Sequence, residues 1–369
     1  MRILQINSAK NWGGGEAHTH LVYKGLIKRG FDVTLACRPN SAIANVFAQE
    51  GHKTVHFGLK NALDIGSGYK MAQFCSQNNI TMIHAHLGRD YWLAAWAKLF
   101  YPSVHVVFTR HVLIPLKKSM FHRWLFSQAS KIIAVSKVVE ETVIDSNLVG
   151  KEKIITIYNG IDIEKFSTAP VGRLRREIDA DSHTKLIGII GQVSPHKGQD
   201  VLIKCLPLIL QSRNDVRCVI IGGDFRNGTY IDELKKLATD LGVGEKVDFL
   251  GQRNDIQELL KDIDVFVLAS QMEPFGLVVA EAMAAAVPVV ATRFGGAAEL
   301  VEDGITGLLV SYGDIEAMTS AIINLLDGNV RESIIKEASV KVNSMCSQEK
   351  MIRDLIKVYH EINDSLHKE

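Results

Sequence analysis

Short apolar runs alternate with amphipathic stretches along the first part of the chain. Residues 3–7 and 32–37 predict the first two strands, and a helix over 17–29 lies between them and ends at Gly30. Further strands are predicted over residues 54–57, 82–86, 104–109, 132–135 and 154–157. Strands separated by helical stretches indicate a parallel, doubly wound sheet.

A second alternation follows a polar stretch, residues 164–182, that we interpret as a linker. Its strands are predicted over residues 186–190, 217–221, 247–250, 264–269, 288–291 and 307–310. Helices over 314–327 and 331–365 close the pattern. The chain is therefore expected to have an α/β fold with two Rossmann-like, doubly wound domains facing a central cleft. Ligands of such sheets bind at the carboxyl ends of strands.

Composition narrows the class of protein. The 42 Lys and Arg residues nearly balance 41 Asp and Glu in 369 residues, so no nucleic-acid partner is expected. The five cysteines are scattered without a CxxC pair, as is typical of reduced thiols in a cytoplasmic protein. The chain opens on a strand pattern without a signal peptide, and no apolar run reaches the length of a membrane span. We therefore expect a cytoplasmic protein that is soluble or peripheral to the inner membrane.

The most informative stretch is residues 270–283. A buried strand leads into a loop with Glu273, and Phe275, Gly276 and Leu277 then open a helix that carries Glu281. The first turn of a helix has unpaired N–H groups that suit a phosphate, and glycine lets an anion approach closely. Glu281 lies roughly 7–8 Å along the helix, about the reach from a diphosphate to a ribose. A nucleotide sugar fits this arrangement.

Gly13, Gly14 and Gly15 follow the first strand and precede a helix. Their backbone could approach a phosphate or a sugar, and Glu16 could contact a hydroxyl group. An ordinary flexible turn is an equally good interpretation. The spacing is not the GxGxxG of dinucleotide-binding proteins, which argues against a nicotinamide dehydrogenase.

Two histidine motifs follow strands of the first half. His84 and His86 are spaced to share one face of a strand, so one of them could be a core residue. Two histidines at this spacing can also bind zinc, but no further ligand cluster is visible, and a hydrogen-bonding role is favoured. His111 lies just beyond its strand and is the better candidate for a site residue.

Two basic features each have two interpretations. Lys197, before Gly198 at a helix start, could place its charge on a phosphate or could be an ordinary solvated lysine. Residues 117–126 mix Lys117, Lys118 and Arg123 with large apolar side chains. This segment suits a weak contact with an anionic membrane surface, and it suits a partly buried helix with a solvated basic face equally well.

Taken together, these motifs resemble the family-4 retaining glycosyltransferases of the GT-B fold over nearly the whole chain. The strongest signal is Glu273-Pro-Phe-Gly-Leu followed by Glu281. The remaining matches in order are the glycine loop, Arg110-His111, residues 158–162, Lys197-Gly198 and Gly295-Gly296 with Glu299. The resemblance implies an acceptor-binding domain over 1–165 and a nucleotide-sugar-binding domain over 166–347. The last helix, about 348–369, would pack back on the first domain.

The resemblance also implies roles for individual residues. Glu273, His111 and Lys197 would be the catalytic residues, with Lys197 neutralising the leaving diphosphate and His111 beside the sugar. Donor binding would involve Gly14, Gly15, Gln192, Lys197, Gln252, Arg253, Glu273, Phe275, Gly276, Leu277 and Glu281. Acceptor binding would involve Glu16, His86, Arg89 and Arg110. No cofactor or metal is implied, and the donor would be a UDP-, GDP- or ADP-sugar.

One position departs from the family pattern. The family often has Gly-Arg ahead of Lys-Gly, whereas Gly191 is followed here by Gln192. The leaving group therefore has one cation fewer, and Arg253 or Arg293 is a candidate to replace it.

The resemblance favours retaining transfer of a sugar without a metal. The basic and aromatic segment of residues 117–126 suggests a lipid-linked or membrane-bound acceptor. A glycan or glycolipid of lipopolysaccharide, capsule or another bacterial surface polysaccharide is the leading interpretation. A nucleotide-sugar 2-epimerase of the same architecture and a non-catalytic nucleotide-sugar binder remain the alternatives.

Overall fold

The computed structural model describes residues 1–59, 61–224, 228–328 and 330–364. The chain forms two compact units, Met1–Gly160 with Gln348–Glu369 and Ile161–Ser347, called the first and second unit below. The chain passes from the first unit to the second at residue 160, five residues before the expected boundary at 165. Residues 365–369 of the expected C-terminal helix lie outside the described residues.

The first unit is built on a seven-stranded sheet in the order β3-β2-β1-β4-β5-β6-β7. Its strands are β1 (Arg2–Asn7), β2 (Asp32–Cys37), β3 (Thr54–His56), β4 (Met82–Ala85), β5 (His105–Arg110), β6 (Lys131–Ala134) and β7 (Ile154–Thr156). All neighbouring strands pair in parallel, which confirms the predicted doubly wound sheet. The strand order reverses direction between β1 and β4, where ligands of such sheets bind.

Helices cover both faces of this sheet. They are α1 (Gly14–Ile27), α2 (Ala42–Gln49), α3 (Ile65–Gln77), α4 (Gly88–Phe100), α5 (Met120–Ser127), α6 (Lys137–Ile144) and, from the end of the chain, α16 (Gln348–Asp364). Alternate strand residues enter opposite cores, with Leu4 in one apolar cluster and Ile3 in the other. Helix α16 belongs to the second of these clusters, where Ile352 packs against Gly25 of α1.

The second unit has a six-stranded parallel sheet in the order β10-β9-β8-β11-β12-β13. Its strands are β8 (Lys185–Ile190), β9 (Val216–Ile221), β10 (Val247–Gly251), β11 (Val265–Leu268), β12 (Val289–Thr292) and β13 (Leu308–Val310). The order reverses between β8 and β11. The loops after these two strands are therefore the place to look for a ligand site in this unit.

The helices of the second unit correct two predictions. They are α7 (Ile163–Ser167), α8 (Arg173–Glu177), α9 (Gln199–Ser212), α10 (Thr229–Asp240), α11 (Ile256–Leu260), α12 (Leu277–Ala284), α13 (Ala297–Leu300), α14 (Ile315–Asp327) and α15 (Arg331–Cys346). The predicted linker thus contains α7 and α8. Buried Asp262 accepts hydrogen bonds from the backbone N–H groups of Gly172, Leu174 and Arg175, which fixes the start of α8.

The prediction of one helix over 331–365 is also wrong. Ser347 has an extended backbone and separates α15 from α16. Ile161 pairs with Ser347 and donates its N–H to the Cys346 carbonyl oxygen at 2.8 Å. A pairing partner distant in sequence therefore ends α15, and no proline or glycine marks the break. Within the described residues, no helix has the length and apolarity needed to cross a membrane.

Candidate functional site

Loops at the carboxyl ends of β8 and β11 meet in the second unit. Gln271 donates its backbone N–H to the His196 carbonyl oxygen at 2.9 Å. Gly198 has φ +74°, and a Cβ at this position would overlap the Ala269 carbonyl oxygen. The loop that carries Lys197 therefore lies directly against the loop that carries Glu273. This contact occurs at the point where the strand order reverses.

The loop after β12 also contacts the loop that carries Glu273. The backbone N–H of Gly296 donates to the Glu273 carbonyl oxygen at 2.7 Å. A Cβ on Gly295 would overlap that oxygen, and a Cβ on Gly296 would overlap the Pro274 carbonyl oxygen. Because both positions are glycines, the 295–296 backbone can contact the 273–274 backbone directly. This contact holds the 273–274 loop in position.

Lys197 and Glu273, both predicted as catalytic residues, form an ion pair. Lys197 Nζ lies 2.7 Å from Glu273 Oε2, with side-chain exposures of 23% and 14%. The partial burial strengthens the attraction relative to a surface pair. The site therefore has a positive charge that is held in place by an adjacent carboxylate.

Helix α12 begins beside this pair. Gly276 is its N-terminal cap, with φ +92°, and provides no side-chain oxygen to the first turn. Phe275 is buried and Leu277 is the first helical residue, so the predicted helix start is confirmed to within two residues. The positive end of the helix dipole and the Lys197 ammonium can act on the same anion.

Glu281 is the fifth residue of α12, and its carboxyl group is partly buried. Burial raises the pKa of Glu281 to about 7, and the charge of Lys165 opposes this shift. The carboxyl group can therefore accept hydrogen bonds from hydroxyl groups when ionised and can donate one when protonated. Either form suits a ligand with vicinal hydroxyl groups.

This raised pKa predicts a pH-dependent stability of the ligand-free protein. The pKa of Glu281 is 4.5 when unfolded and about 7 when folded, so the folded state retains a proton that the unfolded state has lost. The free energy of unfolding should fall by up to about 3 kcal/mol as the pH rises from 4.5 to 7. Thermal unfolding of wild type and Glu281→Gln across this pH range measures the effect. The melting temperature of Glu281→Gln should exceed that of wild type at pH 8 and approach it near pH 5, whereas parallel curves would contradict this pKa.

Three further predicted donor residues lie in loops of the same sheet. Gln192 and Gln252 are exposed, and Gln252 lies beside Gly223. The Arg253 guanidinium is bound by both oxygens of Asp255 at 2.9 and 2.7 Å and by Glu177. Arg293, the other candidate to replace the missing cation, pairs with Asp303 at 2.6 Å. Carboxylates therefore pair with both arginines in this structure.

Asp262 and Asp264 have the Asp-x-Asp spacing of many metal-binding pairs. Asp262 instead accepts the N–H groups at the start of α8. Asp264 forms ion pairs with Arg175 at 2.9 Å and Lys185 at 3.2 Å. Their oxygens are thus used in structural contacts.

In the first unit, several histidine side chains lie close together at the carboxyl ends of β4 and β5. His86 and His111 follow these strands, and His18 of α1 joins them, with ring centroids 5.5 Å from His86 and 4.7 Å from His111. His18 was not predicted, because no spacing in the sequence connects a residue of α1 to two strand ends. His84 is a core residue instead, bonded at 2.6 Å to both the Tyr359 hydroxyl and Thr109 Oγ1.

Burial lowers the pKa of each histidine in this group. The pKa is about 3 for His84 and about 4 for His111, and it lies well below the usual range for His18 and His86. All four imidazoles are therefore neutral near pH 7, so one ring nitrogen of each is an acceptor. In His84 both ring nitrogens are already hydrogen-bonded.

The glycine loop is partly helical, which corrects the predicted start of α1 at residue 17. Gly14 and Gly15 are the first two residues of α1, and Glu16 lies in its first turn. Glu16 Oε1 accepts a hydrogen bond from Asn7 Nδ2 at 3.2 Å, and burial raises the pKa of this carboxyl group. Glu16 thus links the end of β1 to the start of α1.

Arg89 and Arg110, predicted to bind acceptor, both contact backbone. Arg89 donates to Ser8 Oγ at 2.8 Å and to the Ser8 carbonyl oxygen at 2.9 Å, and buried Arg110 donates to the Ile114 carbonyl oxygen. Asp90, which follows Arg89, was not among the predicted site residues. It accepts the Ser8 N–H at 3.2 Å, and burial raises its pKa to about 7. Its position in the first turn of α4 was the available signal.

Two family models match the chain. The one described as Glycosyltransferase Family 4 matches residues 12–165, and the one described as Glycosyl transferases group 1 matches residues 171–341. Each match falls almost wholly within one of the two units and includes the loops described above.

Curated relatives agree with these matches. An uncharacterized glycosyltransferase of Methanocaldococcus jannaschii is 33% identical over 63% of this chain and 60% of its own length. A D-inositol 3-phosphate glycosyltransferase of Corynebacterium aurimucosum is 30% identical over 72% of this chain and 68% of its own length. The chain spans about three fifths of the length of the first of these relatives.

A solved structure covers the whole fold. The crystal structure of Anabaena HepE in complex with UDP superposes with a TM-score of 0.87 and 25% identity, over 98% of this chain and 100% of that protein. A second crystal structure of HepE contains UDP-glucose. The fold is thus shared with HepE over nearly the whole chain.

Proposed function

The chain belongs to the family-4 glycosyltransferases of the GT-B fold, and we propose that it transfers a sugar from a nucleotide-diphosphate sugar to an acceptor with retention of configuration. The observation that carries this proposal is the Lys197–Glu273 ion pair beside the N-terminus of α12. Anabaena HepE, whose crystal structures contain UDP and UDP-glucose, supports a uridine nucleotide as the donor class.

Three groups of the second unit support donor binding there. The start of α12 and Lys197 present positive charge to a diphosphate. Glu281 lies further along the same helix, where a partly buried carboxyl group suits the ribose hydroxyls. Glu273, held by Lys197, is left with its second oxygen for a hydroxyl of the donor sugar.

The reaction needs stabilisation of a leaving group more than it needs a strong base. The bond from the anomeric carbon to the diphosphate oxygen breaks, and the acceptor oxygen bonds to the same face of that carbon. The acceptor proton passes to the leaving phosphate. Lys197 and the α12 N-terminus stabilise the charge that develops there, so transfer in this proposal requires no metal.

Donor binding is expected to raise the melting temperature. A ligand that binds only the folded state at 100 times its Kd adds about 2.7 kcal/mol to stability. We expect UDP and a UDP-sugar to stabilise the protein against heat more than GDP and ADP counterparts. Glu281→Ala should abolish most of this stabilisation, whereas Glu316→Ala, an acidic residue in the first turn of α14, serves as the matched control. Equal stabilisation of wild type and Glu281→Ala by the best nucleotide would contradict the assignment of Glu281.

Three activity outcomes separate the candidate functions. Transfer is shown by a glycoside product, and NMR of its anomeric proton reports retention or inversion. An epimerase would instead change the donor sugar in the absence of any acceptor. A binder would be stabilised by the donor without product formation or donor hydrolysis. Activity that survives EDTA supports metal independence, and activity lost to EDTA and restored by a divalent cation would overturn it.

The acceptor is proposed to be a glycan or lipid-linked glycan of a bacterial surface polysaccharide. The support is the segment of residues 112–123 in the first unit, which exposes Met120 (87%), Phe121 (75%) and Ile114 (63%). The exposed cations of the same segment are Lys117, Lys118 and Arg123. Exposed apolar side chains bordered by lysines suit a weak contact with anionic lipid.

Vesicle sedimentation tests the proposed membrane contact. Wild type should sediment with phosphatidylglycerol vesicles at low salt and much less with phosphatidylcholine vesicles. Phe121→Ser should reduce this binding several-fold. The control is Leu63→Ser, since Leu63 is equally exposed (76%) in the same unit but lies in the loop before α3. Equal losses in both variants, or no vesicle binding by wild type, would refute the contact.

A further inference from the structure

Three histidines of the first unit are arranged as metal ligands. His18 comes from α1, His86 follows β4 and His111 follows β5, so three packed elements fix their positions. One ring nitrogen of each lies within 4.8 Å of the others. A tetrahedral zinc ion with Zn–N bonds of about 2.0–2.1 Å needs nitrogens roughly 3.3 Å apart. Side-chain movements of about 1 Å would therefore close the site.

Three buried ring nitrogens of His86 and His111 lack hydrogen-bond partners in the described part of the chain. Neither His86 Nδ1 nor Nε2 has a hydrogen-bond partner, although His86 is only 1% exposed, and His111 Nε2 also has none. A buried polar atom without a partner costs about 1–3 kcal/mol. Such a cost is retained in a folded protein when a ligand satisfies the group.

The environment also suits a metal. His18 and His86 are buried and His111 is partly buried, so the three rings are largely shielded from bulk water. His84, whose ring centroid lies 4.2 Å from that of His86, has both ring nitrogens hydrogen-bonded, to Tyr359 and to Thr109.

A second histidine group provides the contrast. His20 and His52 both bond to Glu50 Oε2, at 2.7 and 2.8 Å, on a more exposed part of the same unit. This carboxylate already contacts one nitrogen of each ring, and neither histidine has a buried ring nitrogen without a partner among the described residues. It is the natural internal control for surface metal binding.

We propose that His18, His86 and His111 form a site for a divalent transition metal of the zinc class, with a fourth coordination position open. The sequence showed no further ligand cluster for the pair His84 and His86. The fold instead places His84 in the core and brings His18 to His86 and His111. Metal binding stands on this geometry alone. Its consequence rests on the proposed function: an ion that coordinates His111 removes this residue from the transfer site and inhibits transfer.

The binding test uses the full chain after dialysis against a chelator. Zn²⁺ is titrated in competition with a chromophoric chelator, and Co²⁺ is added separately to detect the visible absorption of tetrahedral coordination. We expect one tight ion per chain. His18→Ala should weaken Zn²⁺ binding at least about 100-fold and abolish the Co²⁺ spectrum, because two histidines remain. The less disruptive His18→Gln should do the same if melting shows that the alanine variant is unfolded.

The control variant His52→Ala should leave the tight ion unchanged. The proposal is overturned if no ion binds tightly, or if His52→Ala removes the ion and His18→Ala does not. The functional arm measures transfer with added Zn²⁺ and then with EDTA. Inhibition of wild type with resistance of His18→Gln supports the consequence, and inhibition of both variants alike refutes it. Tight Zn²⁺ binding in a protein without transfer activity would reject the proposed function and leave the metal site standing.

Discussion

Replacing Lys197 by alanine is expected to lower kcat for transfer by about 10²–10³-fold, the effect of removing one preorganised group that stabilises developing charge. The structure adds a second consequence. Glu273 loses the ammonium group 2.7 Å away and is left as a partly buried, uncompensated carboxylate next to the phosphate position. Donor affinity should therefore fall as well, since two negative charges now face each other. Steady-state kinetics with a donor titration measures both effects.

The double variant Lys197→Ala/Glu273→Gln separates these effects. Removal of the carboxylate charge should restore much of the donor affinity without restoring kcat, because the cation is still absent. Glu273→Ala alone should also lose transfer. Lys204→Ala is the matched control, as Lys204 forms an ion pair with Asp200 on the neighbouring helix α9. Unchanged turnover in folded Lys197→Ala would remove Lys197 from the mechanism.

Gly295→Ala is expected to abolish donor binding within the range of a practical titration, a loss of more than about 100-fold. The added Cβ would overlap the Glu273 carbonyl oxygen, so the 273–276 loop has to move away from α12. Overpacking of this kind typically costs about 1–3 kcal/mol. The positive φ of +82° adds the strain of a left-handed alanine, about 1–2 kcal/mol. Nucleotide calorimetry and thermal melting provide the two readouts.

Gly313→Ala isolates the backbone strain from the steric overlap. Gly313 has nearly the same φ, +78°, but a Cβ there would meet nothing within 4 Å. This variant should melt at a lower temperature and bind nucleotide normally. If Gly295→Ala binds nucleotide as well as Gly313→Ala does, the 295–296 loop does not set the position of Glu273.

The loops of the second unit were predictable because local signals and chain order agree. Each apolar run of a parallel sheet ends at the same edge, so Lys197, Glu273 and Gly295 had to approach one another once the strands were identified. Glycine before a helix and a glutamate five residues along it are features of one short segment. Their detection requires no knowledge of partners distant in sequence.

Features that depend on distant partners were not predictable. The break at Ser347 comes from pairing with Ile161, and no proline or glycine in the sequence marks it. Arg253 appeared available for a phosphate until the fold placed Glu177 beside it. His18 joins His111 only because α1 packs over the strand ends. In each case the missing information was a tertiary neighbour.

The position of helix α16 has a consequence for the order of synthesis and folding. Its Ile352 packs against Gly25, and its Tyr359 hydroxyl bonds to His84, so the core of the first unit contains both early and late parts of the chain. The whole second unit, residues 161–347, is made between them. The ribosome therefore releases a complete second unit while the first still exposes the apolar face that α16 covers. The unit made first is the last to be finished, and a nascent chain must keep that face from aggregating until residues 348–364 arrive.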